Sequence, residues 1–431
     1  MKVKDILIMC QFFYPEYNSS STLPTELAED LVNAGFSVDA ICGYPTEYYK
    51  GGNIPKRENH SGINIRRLRY VQICRKSNLG RLINYFSFII TIALHWPLFL
   101  KYKCILVYTN PPLLPLIPAV LNYIFGTRFV FVAFDIYPFV AVEMGSIAKG
   151  SLVEKVMNLT NRLVYDRATK IVALSTEMKE FMINNNLVRL NTDKIELIPN
   201  WYDKDKVATL TNAVNLEIQE LKDSKDFIVL YSGNMGICQD MDTITACISL
   251  MREDPDVMFV LTGHGTKVEG LKSYIVENKL KNVKLFDFLT GNDYSTMLQI
   301  ADCCLLSLER NVVGMAVPSK AYSYLAVGRP LIAIIPEGTD ISKILKHYKA
   351  GFTLEQGDAI GLADIIRKLI LNPSMCKVMG DSARKAFNEN YTRKLSIDKY
   401  INMLRVIIGN TGSLDRITKQ KFERNTFTSN R

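Results

Sequence analysis

Residues 317–334, VPSKAYSYLAVGRPLIAI, put one lysine behind a proline and ahead of an apolar-periodic segment. Pro318 and Ser319 are helix-start residues, so Lys320 falls in the first turn of a helix. The helix dipole disfavours a cation there. A bound anion would offset that cost, and a phosphate beyond the strand ends is the anion the pattern suggests; a solvated surface lysine is the plain alternative. Two turns upstream support the phosphate reading. YSGNMG (231–236) and LTGHG (261–265) carry Gly233, Asn234, Gly236, Gly263 and Gly265 directly behind β-forming runs. Glycine permits close backbone approach, and the helix that follows offers its amides to an anion. Either turn alone fits a tight turn without ligand equally well. Asp135 closes another run, in FDIYP. A carboxylate there can orient a hydroxyl or take its proton, or it can cap the next segment. Arg310 follows a further run, as a second cation or a surface arginine.

These residues need a frame, and the chain supplies one. Short apolar runs alternate with longer helix-like segments: Ile6–Cys10, Val38–Cys42, Cys104–Tyr108, Phe129–Phe134, Ile171–Leu174 and Ile195–Ile198, then Phe227–Tyr231, Val257–Leu261, Val283–Phe286, Cys303–Leu306, Leu331–Ile335 and Gly351–Leu354. Runs apolar on both faces suit parallel sheets covered by helices. The repeat through both halves implies an α/β protein of two Rossmann-like, doubly wound parallel-sheet domains facing across a cleft. Ligands in such sheets sit beyond the carboxyl ends of the strands, where every residue named above falls. We expect an N-terminal domain over 1–199, a polar linker over 200–224 and a second domain over 225–387. A helix over 388–409 is expected to pack back on the first domain, and 410–431, with five Lys/Arg against two acids, to be a disordered tail.

The chain has 431 residues, 48% of them hydrophobic, and a net charge of +9 that favours an anionic partner. Nine cysteines without a C-x-x-C pair, and four histidines, exclude a Cys/His metal cluster of usual spacing and read as reduced core thiols. After MKVKD the five apolar residues ILIMC are too few for a signal peptide and read as the first strand of a cytosolic protein.

YSGNMG, LTGHG, ADCCLLSL, VPSKAYSYLAVGRPLIA and GTDISKIL…AGFTLEQGDAIGLADII resemble the donor-binding half of a family 4 glycosyltransferase with the GT-B fold. QFFYPEYNSSSTLPTELAEDLVNAGFSVDAICGYP, FDIYPFVAVEMG and ATKIVALS…IELIPNWYD resemble its acceptor half. The similarity covers roughly residues 1–405 and is strongest to the subgroup acting in bacterial O-antigen and capsule assembly. It implies a nucleotide-sugar donor, usually UDP-linked, and metal-independent transfer with retention, without a cofactor. Under it Lys320 stabilises the leaving diphosphate, Gly233, Asn234 and Gly236 line it, and backbone around Asp287 and Phe288 holds the base. Gly263, Gly265, Arg310 and Ser319 complete the donor side. Tyr14, Ser20, Ser21 and Glu143 fall on the acceptor side with Asp135. Two glutamates that many members carry are absent, Met315 and Ser323 standing in their places; Ser323 or Asp340 is the expected substitute at the ribose. Asn18-Ser19-Ser20-Ser21 replaces the usual double glycine of the first loop.

Residues 50–81 hold nine basic residues (Lys50, Lys56, Arg57, Arg66, Arg67, Arg69, Arg75, Lys76 and Arg81) against Glu58, and 82–100 carry no charge. Arg81, Asn84, Ser87, Thr91 and His95 recur as one polar stripe. A basic patch beside an amphipathic helix reads as contact with an anionic leaflet; a buried helix or a membrane span are the other readings. No nucleic-acid-binding module is recognisable. The expected protein is a transferase at the cytoplasmic face of a bacterial membrane, peripheral on it, with a lipid-linked saccharide as acceptor. A sugar-nucleotide 2-epimerase of the same fold and a non-catalytic nucleotide-sugar-binding subunit are the rivals.

Overall fold

The computed structural model describes residues 3–16, 18–45, 52–73, 78–189, 191–206, 215–224 and 226–409. The first sheet contains β1 (Lys4–Met9), β2 (Val38–Gly43), β3 (Arg57–His60), β4 (Ile63–Leu68), β5 (Tyr102–Tyr108), β6 (Phe129–Val132), β7 (Lys170–Ala173) and β8 (Ile195–Leu197). Their order is β3-β4-β2-β1-β5-β6-β7-β8, parallel except for the β3–β4 hairpin. The second sheet contains β9 (Phe227–Ser232), β10 (Val257–Thr262), β11 (Val283–Phe286), β12 (Cys303–Ser307), β13 (Leu331–Ile334) and β14 (Gly351–Leu354), in the order β11-β10-β9-β12-β13-β14 and parallel throughout. Each of the twelve apolar runs lies on a strand, because helices bury the central strands on both faces. The β3–β4 hairpin lies within the segment read as a basic surface patch. Its signals were the alternation in INIRRL and the Ser61-Gly62 turn, where φ is +49° and +82°.

The first domain carries α1 (Ser19–Asn33), α2 (Asn78–Ala93), α3 (Leu116–Phe125), α4 (Phe139–Glu143), α5 (Leu152–Arg167) and α6 (Thr176–Asn184). The segment expected as a linker holds α7 (Leu216–Asp223), which buries Ile218 and Leu221; residues 207–214 lie outside the described residues. The second domain carries α8 (Met241–Leu250), α9 (Val268–Glu277), α10 (Gly291–Ile300), α11 (Lys320–Val327), α12 (Asp340–Tyr348) and α13 (Ala359–Ile370), and the chain continues through α14 (Pro373–Asn390) and α15 (Arg393–Gly409). The boundary expected at 387/388 therefore falls inside α14. On α15, Tyr400 meets Trp201 edge-on at 6.3 Å and Ser396 donates to the Pro199 carbonyl at 2.8 Å. Arg393 anchors the helix against α1, reaching Asp30 at 2.7 Å, Glu29 at 3.2 Å and Asp203 at 3.2 Å. The tail, 410–431, lies outside the described residues.

Two expectations about the basic segment change. Arg67 is fully buried: its guanidinium pairs with Glu58 at 2.6 Å and donates to the carbonyls of Pro55 and Tyr14, so it is a structural cation rather than part of a surface patch. Lys56, Arg57 and Arg69 are exposed; Lys50, Arg75, Lys76 and the Arg81 side chain lie outside the described residues. Asn84 and Ser87 of the polar stripe on α2 also face the protein and not a headgroup layer. Asn84 is 2% exposed and exchanges hydrogen bonds with both backbone groups of Ile73, while Ser87 accepts from the Val71 amide. Among the described residues no helix is long and apolar enough to cross a membrane.

Candidate functional site

The strand ends of the two sheets meet across a cleft. Asp135, just beyond β6, forms an antiparallel bridge with Ala316, and the Ile136 amide donates to the Met315 carbonyl at 2.8 Å. A second bridge is reciprocal: the Thr176 amide donates to Asp340 Oδ2 at 2.7 Å, and the Asp340 amide to Glu177 Oε1 at 2.9 Å.

The two glycine turns follow adjacent strands and interlock. The Gly233 amide donates to the Thr262 carbonyl and the Met235 amide to the His264 carbonyl, both at 2.7 Å. A Cβ on Gly263 would stand 1.9 Å from the Gly233 carbonyl oxygen, and one on Gly265 2.3 Å from the Met235 backbone. Both positions also have left-handed φ, +143° and +149°. The second pair of glycines is therefore required by loop-on-loop packing, whatever approaches from the cleft. Gly236 has its own close neighbour, the Asn234 side-chain amide at 3.0 Å from a Cβ placed there.

Lys320 opens α11, as the Pro318-Ser319 pair implied, although Ser319 makes no side-chain cap. Its ammonium crosses the first turn. Nζ donates to the Tyr231 hydroxyl and, at 2.9 Å, to the Asn234 carbonyl, and it lies 3.9 Å from the Tyr231 ring centroid. Tyr231 Oη in turn donates to the same carbonyl at 2.8 Å. Lys320 keeps some accessible surface, but burial of the ammonium brings its pKa down to about 7. No carboxylate among the described residues pairs with it. A cation held by neutral oxygens at a helix start is a site that an anion completes.

Asp135 faces the second domain. Burial raises its carboxyl pKa to about 6. Its field reaches the Cys238 thiol, which burial chiefly, then Asp135 and Glu309, push up to about 11. Glu309 accepts from Gln356 Nε2 at 2.8 Å and sits 3.5 Å from Lys267, whose ammonium also donates to the Gln239 carbonyl at 2.9 Å. Tyr231, Lys267 and Glu309 were not singled out from the sequence. Lys267 and Glu309 both follow strand ends, so the position signal was present, but it went to Arg310 and the glycines.

Several candidates take other roles. Arg310 is exposed and paired with Glu355. Ser323 is 3% exposed, donates to the Lys320 carbonyl at 2.9 Å and contacts Tyr294 Oη at 3.1 Å, so it packs α11 rather than facing a ribose. Asp340 is spent on the interdomain bridge. Ser21 caps α1 with Asn18, each side chain accepting from the other's amide at 3.1 and 3.0 Å. Tyr14 stacks on His60 at 3.7 Å, and Glu143 is exposed at the end of α4. Ser20 accepts from Asn110 Nδ2 at 3.1 Å beside the cleft. The Asp287 carbonyl accepts from Thr262 Oγ1 at 2.7 Å, and exposed Phe288 meets His264 edge-on at 5.4 Å, giving an aromatic corner beside the second turn. A cavity of about 590 Å³ lies along the seam lined by Glu177, Asp340 and Tyr391. It shares Ala316 and Pro318 with the site but takes in neither Asp135, Lys320 nor a glycine turn, so we assign the chemistry to the residues around Lys320.

Two facing parallel-sheet domains have the architecture of the GT-B glycosyltransferases, and residues 215–386 match the family described as glycosyl transferases group 1. The probable glycosyltransferase WbjE of Pseudomonas aeruginosa is 25% identical over 307 residues, 70% of this chain and 74% of that protein. The putative colanic acid biosynthesis glycosyl transferase WcaI of Escherichia coli is 22% identical over 272 residues, 62% and 65% of the two chains. Among solved structures, sucrose-phosphate synthase from Thermosynechococcus elongatus superposes with a TM-score of 0.71 at 15% identity, over 95% of this chain and 100% of that one. Anabaena HepE in complex with UDP and glucose superposes with a TM-score of 0.67 at 14% identity, over 94% and 100%. Structural likeness at these identities establishes the fold alone.

Proposed function

We propose that the protein is a retaining glycosyltransferase that moves a sugar from a nucleotide-sugar, UDP-linked, to a polyprenyl-diphosphate-linked saccharide in bacterial O-antigen or capsule synthesis. The observation that carries this reading is Lys320: a partly buried ammonium with no carboxylate partner among the described residues, at a helix start, over the first glycine turn. As the glycosidic bond to the diphosphate breaks, charge develops on the leaving oxygens. A preorganised cation and the α11 amides stabilise that charge more than they stabilise the bound donor. In this scheme the transfer proceeds without a resident metal ion, Lys320 and the loop amides meeting the charge. The aromatic corner at Phe288 suits the base. Asp135, from the other domain, orients the acceptor hydroxyl and takes its proton.

The named relatives support the setting: one is named for colanic acid biosynthesis, and a structural neighbour holds UDP and glucose. The test is transfer of radiolabel from a set of UDP- and GDP-sugars to a bacterial lipid extract by the wild-type chain and by Lys320→Ala. Lipid-soluble label from one UDP-sugar, lost in the variant, is expected. Label from no donor, or transfer unaffected by the substitution, overturns the reading.

A further inference from the structure

The strand connections β4–α2–β5, β5–α3–β6 and β6–α5–β7 all run in one direction along the first sheet. Right-handed crossovers therefore lay α2, α3 and α5 on the same face, while α1 and α15 pack together on the opposite one. Each of the three helices points an apolar stripe outward. On α2 and just beyond it these are Leu82, Phe86, Ile90 and Leu94, which are 51, 51, 59 and 76% exposed. On α3 they are Tyr123 and Ile124, 66 and 60% exposed, and on α5 Leu152, Val156 and Leu159, 77, 49 and 65%. Trp96 joins the first two helices by stacking on Phe125 at 5.3 Å, and α3 packs along α5, so the stripes form one surface. A helix face meant for water carries charge; residues 82–100 and 104–127 carry none. Asn84 and Ser87 of α2 are spent inward on the protein. A surface of this extent marks an interaction site.

We propose that this face seats the protein on an anionic bilayer leaflet. Charge complementarity selects the occupant. Along α5 and the turn before it, Lys149, Lys155, Arg162 and Arg167 are exposed, against the acids Glu154 and Asp166. The Arg167 guanidinium lies 4.7 Å over the Tyr123 ring, so a basic group borders the apolar surface directly. Exposed Trp96 and Tyr123 are side chains suited to a headgroup layer. A second copy of the chain fits less well, because a two-fold contact would bring the basic margins of both copies together. The helices start at the carboxyl ends of the strands, the end that meets the cleft. A saccharide carried on a membrane lipid would thus be delivered at the cleft mouth near Asp135. Only that last point rests on the proposed acceptor; the docking stands without it.

The test is flotation of the full chain with vesicles of phosphatidylglycerol and phosphatidylcholine, and with phosphatidylcholine alone. Binding is expected on the anionic vesicles, with partial release by salt, since apolar burial is not screened. The variant Phe86→Glu/Ile90→Glu/Leu94→Glu alters only exposed positions. It should lose about tenfold or more in vesicle partition while keeping its unfolding temperature and its activity on a water-soluble acceptor analogue. Leu152→Glu/Leu159→Glu, on a different helix, should lower partition as well. Unchanged partition in both variants overturns the proposal, as does a wild-type dimer in sedimentation velocity that either variant dissociates. Vesicle binding that follows the expected pattern, in a chain that consumes no nucleotide-sugar, would retain the docking face and remove the proposed activity.

Discussion

Gly233 and Lys320 touch: a Cβ on the glycine would stand 2.7 Å from Cε of the lysine. The glycine of the first turn thus makes room for the cation as well as for any ligand. The two residues come from different strand ends and converge only because β9 and β12 are neighbours in the sheet.

Lys320→Ala should lower kcat by about 10²- to 10³-fold, the cost of removing one preorganised charge-assisted donor, with a much smaller rise in donor KM. Steady-state kinetics with saturating acceptor measures both. Equal losses in kcat and donor affinity would assign the lysine to ground-state binding.

Gly233→Ala forces a side chain onto a backbone with φ of +124° and into the path of Lys320. We expect soluble protein destabilised by about 1–3 kcal/mol of backbone strain, read as a lower unfolding temperature, and a loss of activity approaching that of Lys320→Ala. An active Gly233→Ala enzyme would separate the turn from the lysine.

The pH dependence follows from two opposed shifts. Asp135, raised to about 6, must be ionised to take a proton, so kcat/KM should fall as pH drops below about 6. Lys320, lowered to about 7, must be protonated, so kcat/KM should fall as pH rises past about 7 in the free enzyme. A bound diphosphate restores the ammonium, so the alkaline limb of kcat should lie higher. Asp135→Asn should abolish transfer dependent on the acid limb without changing UDP affinity in calorimetric titration. For folding the signs run the other way. The raised Asp135 pKa means the native state holds the extra proton between 3.8 and about 6, so this residue's unfavourable contribution is relieved as pH falls through that window. The lowered Lys320 pKa makes its contribution more favourable as pH rises from about 7 towards 10.5.

Asp340→Ala separates the ribose expectation from the observed bridge. It removes the acceptor of the Thr176 amide, so hydrogen exchange at Thr176 should quicken while UDP affinity stays within about twofold. A tenfold loss of nucleotide affinity would return Asp340 to the donor site.

Arg393→Ala leaves Glu29, Asp30 and Asp203 facing one another without their shared cation. Denaturant unfolding should show a loss of about 2–4 kcal/mol, larger than for an exposed ion pair because the charges are partly buried. Arg393→Lys should recover part of it, since an ammonium restores the charge but not the planar fork.

The strands were legible because burial on both faces leaves a local mark, and so was the start of α11, since Pro318 and Ser319 act within one turn. The β3–β4 hairpin was read as charge alone, because an edge hairpin with one wet face has no continuous apolar run. The pairing of functional residues was not local. Arg310 and Lys267 both follow strand ends and are both basic; only the fold shows that the first meets Glu355 in solvent and the second lies beside Glu309 in the cleft. The family resemblance implied Ser323 or Asp340 as a ribose ligand; only the fold shows that Ser323 packs against Tyr294 and that Asp340 accepts from the Thr176 amide. The clearest case is α2. Its sequence fixes that one stripe is polar and the rest apolar, since the helical period is a property of the backbone. Which stripe faces the protein depends on what the rest of the chain offers, and here Ile73 and Val71 offer unpaired backbone groups that Asn84 and Ser87 satisfy. Phe88 and Ile92 are fully buried on the same side, so hydrogen-bond demand and apolar burial in the tertiary structure together set which way the helix faces.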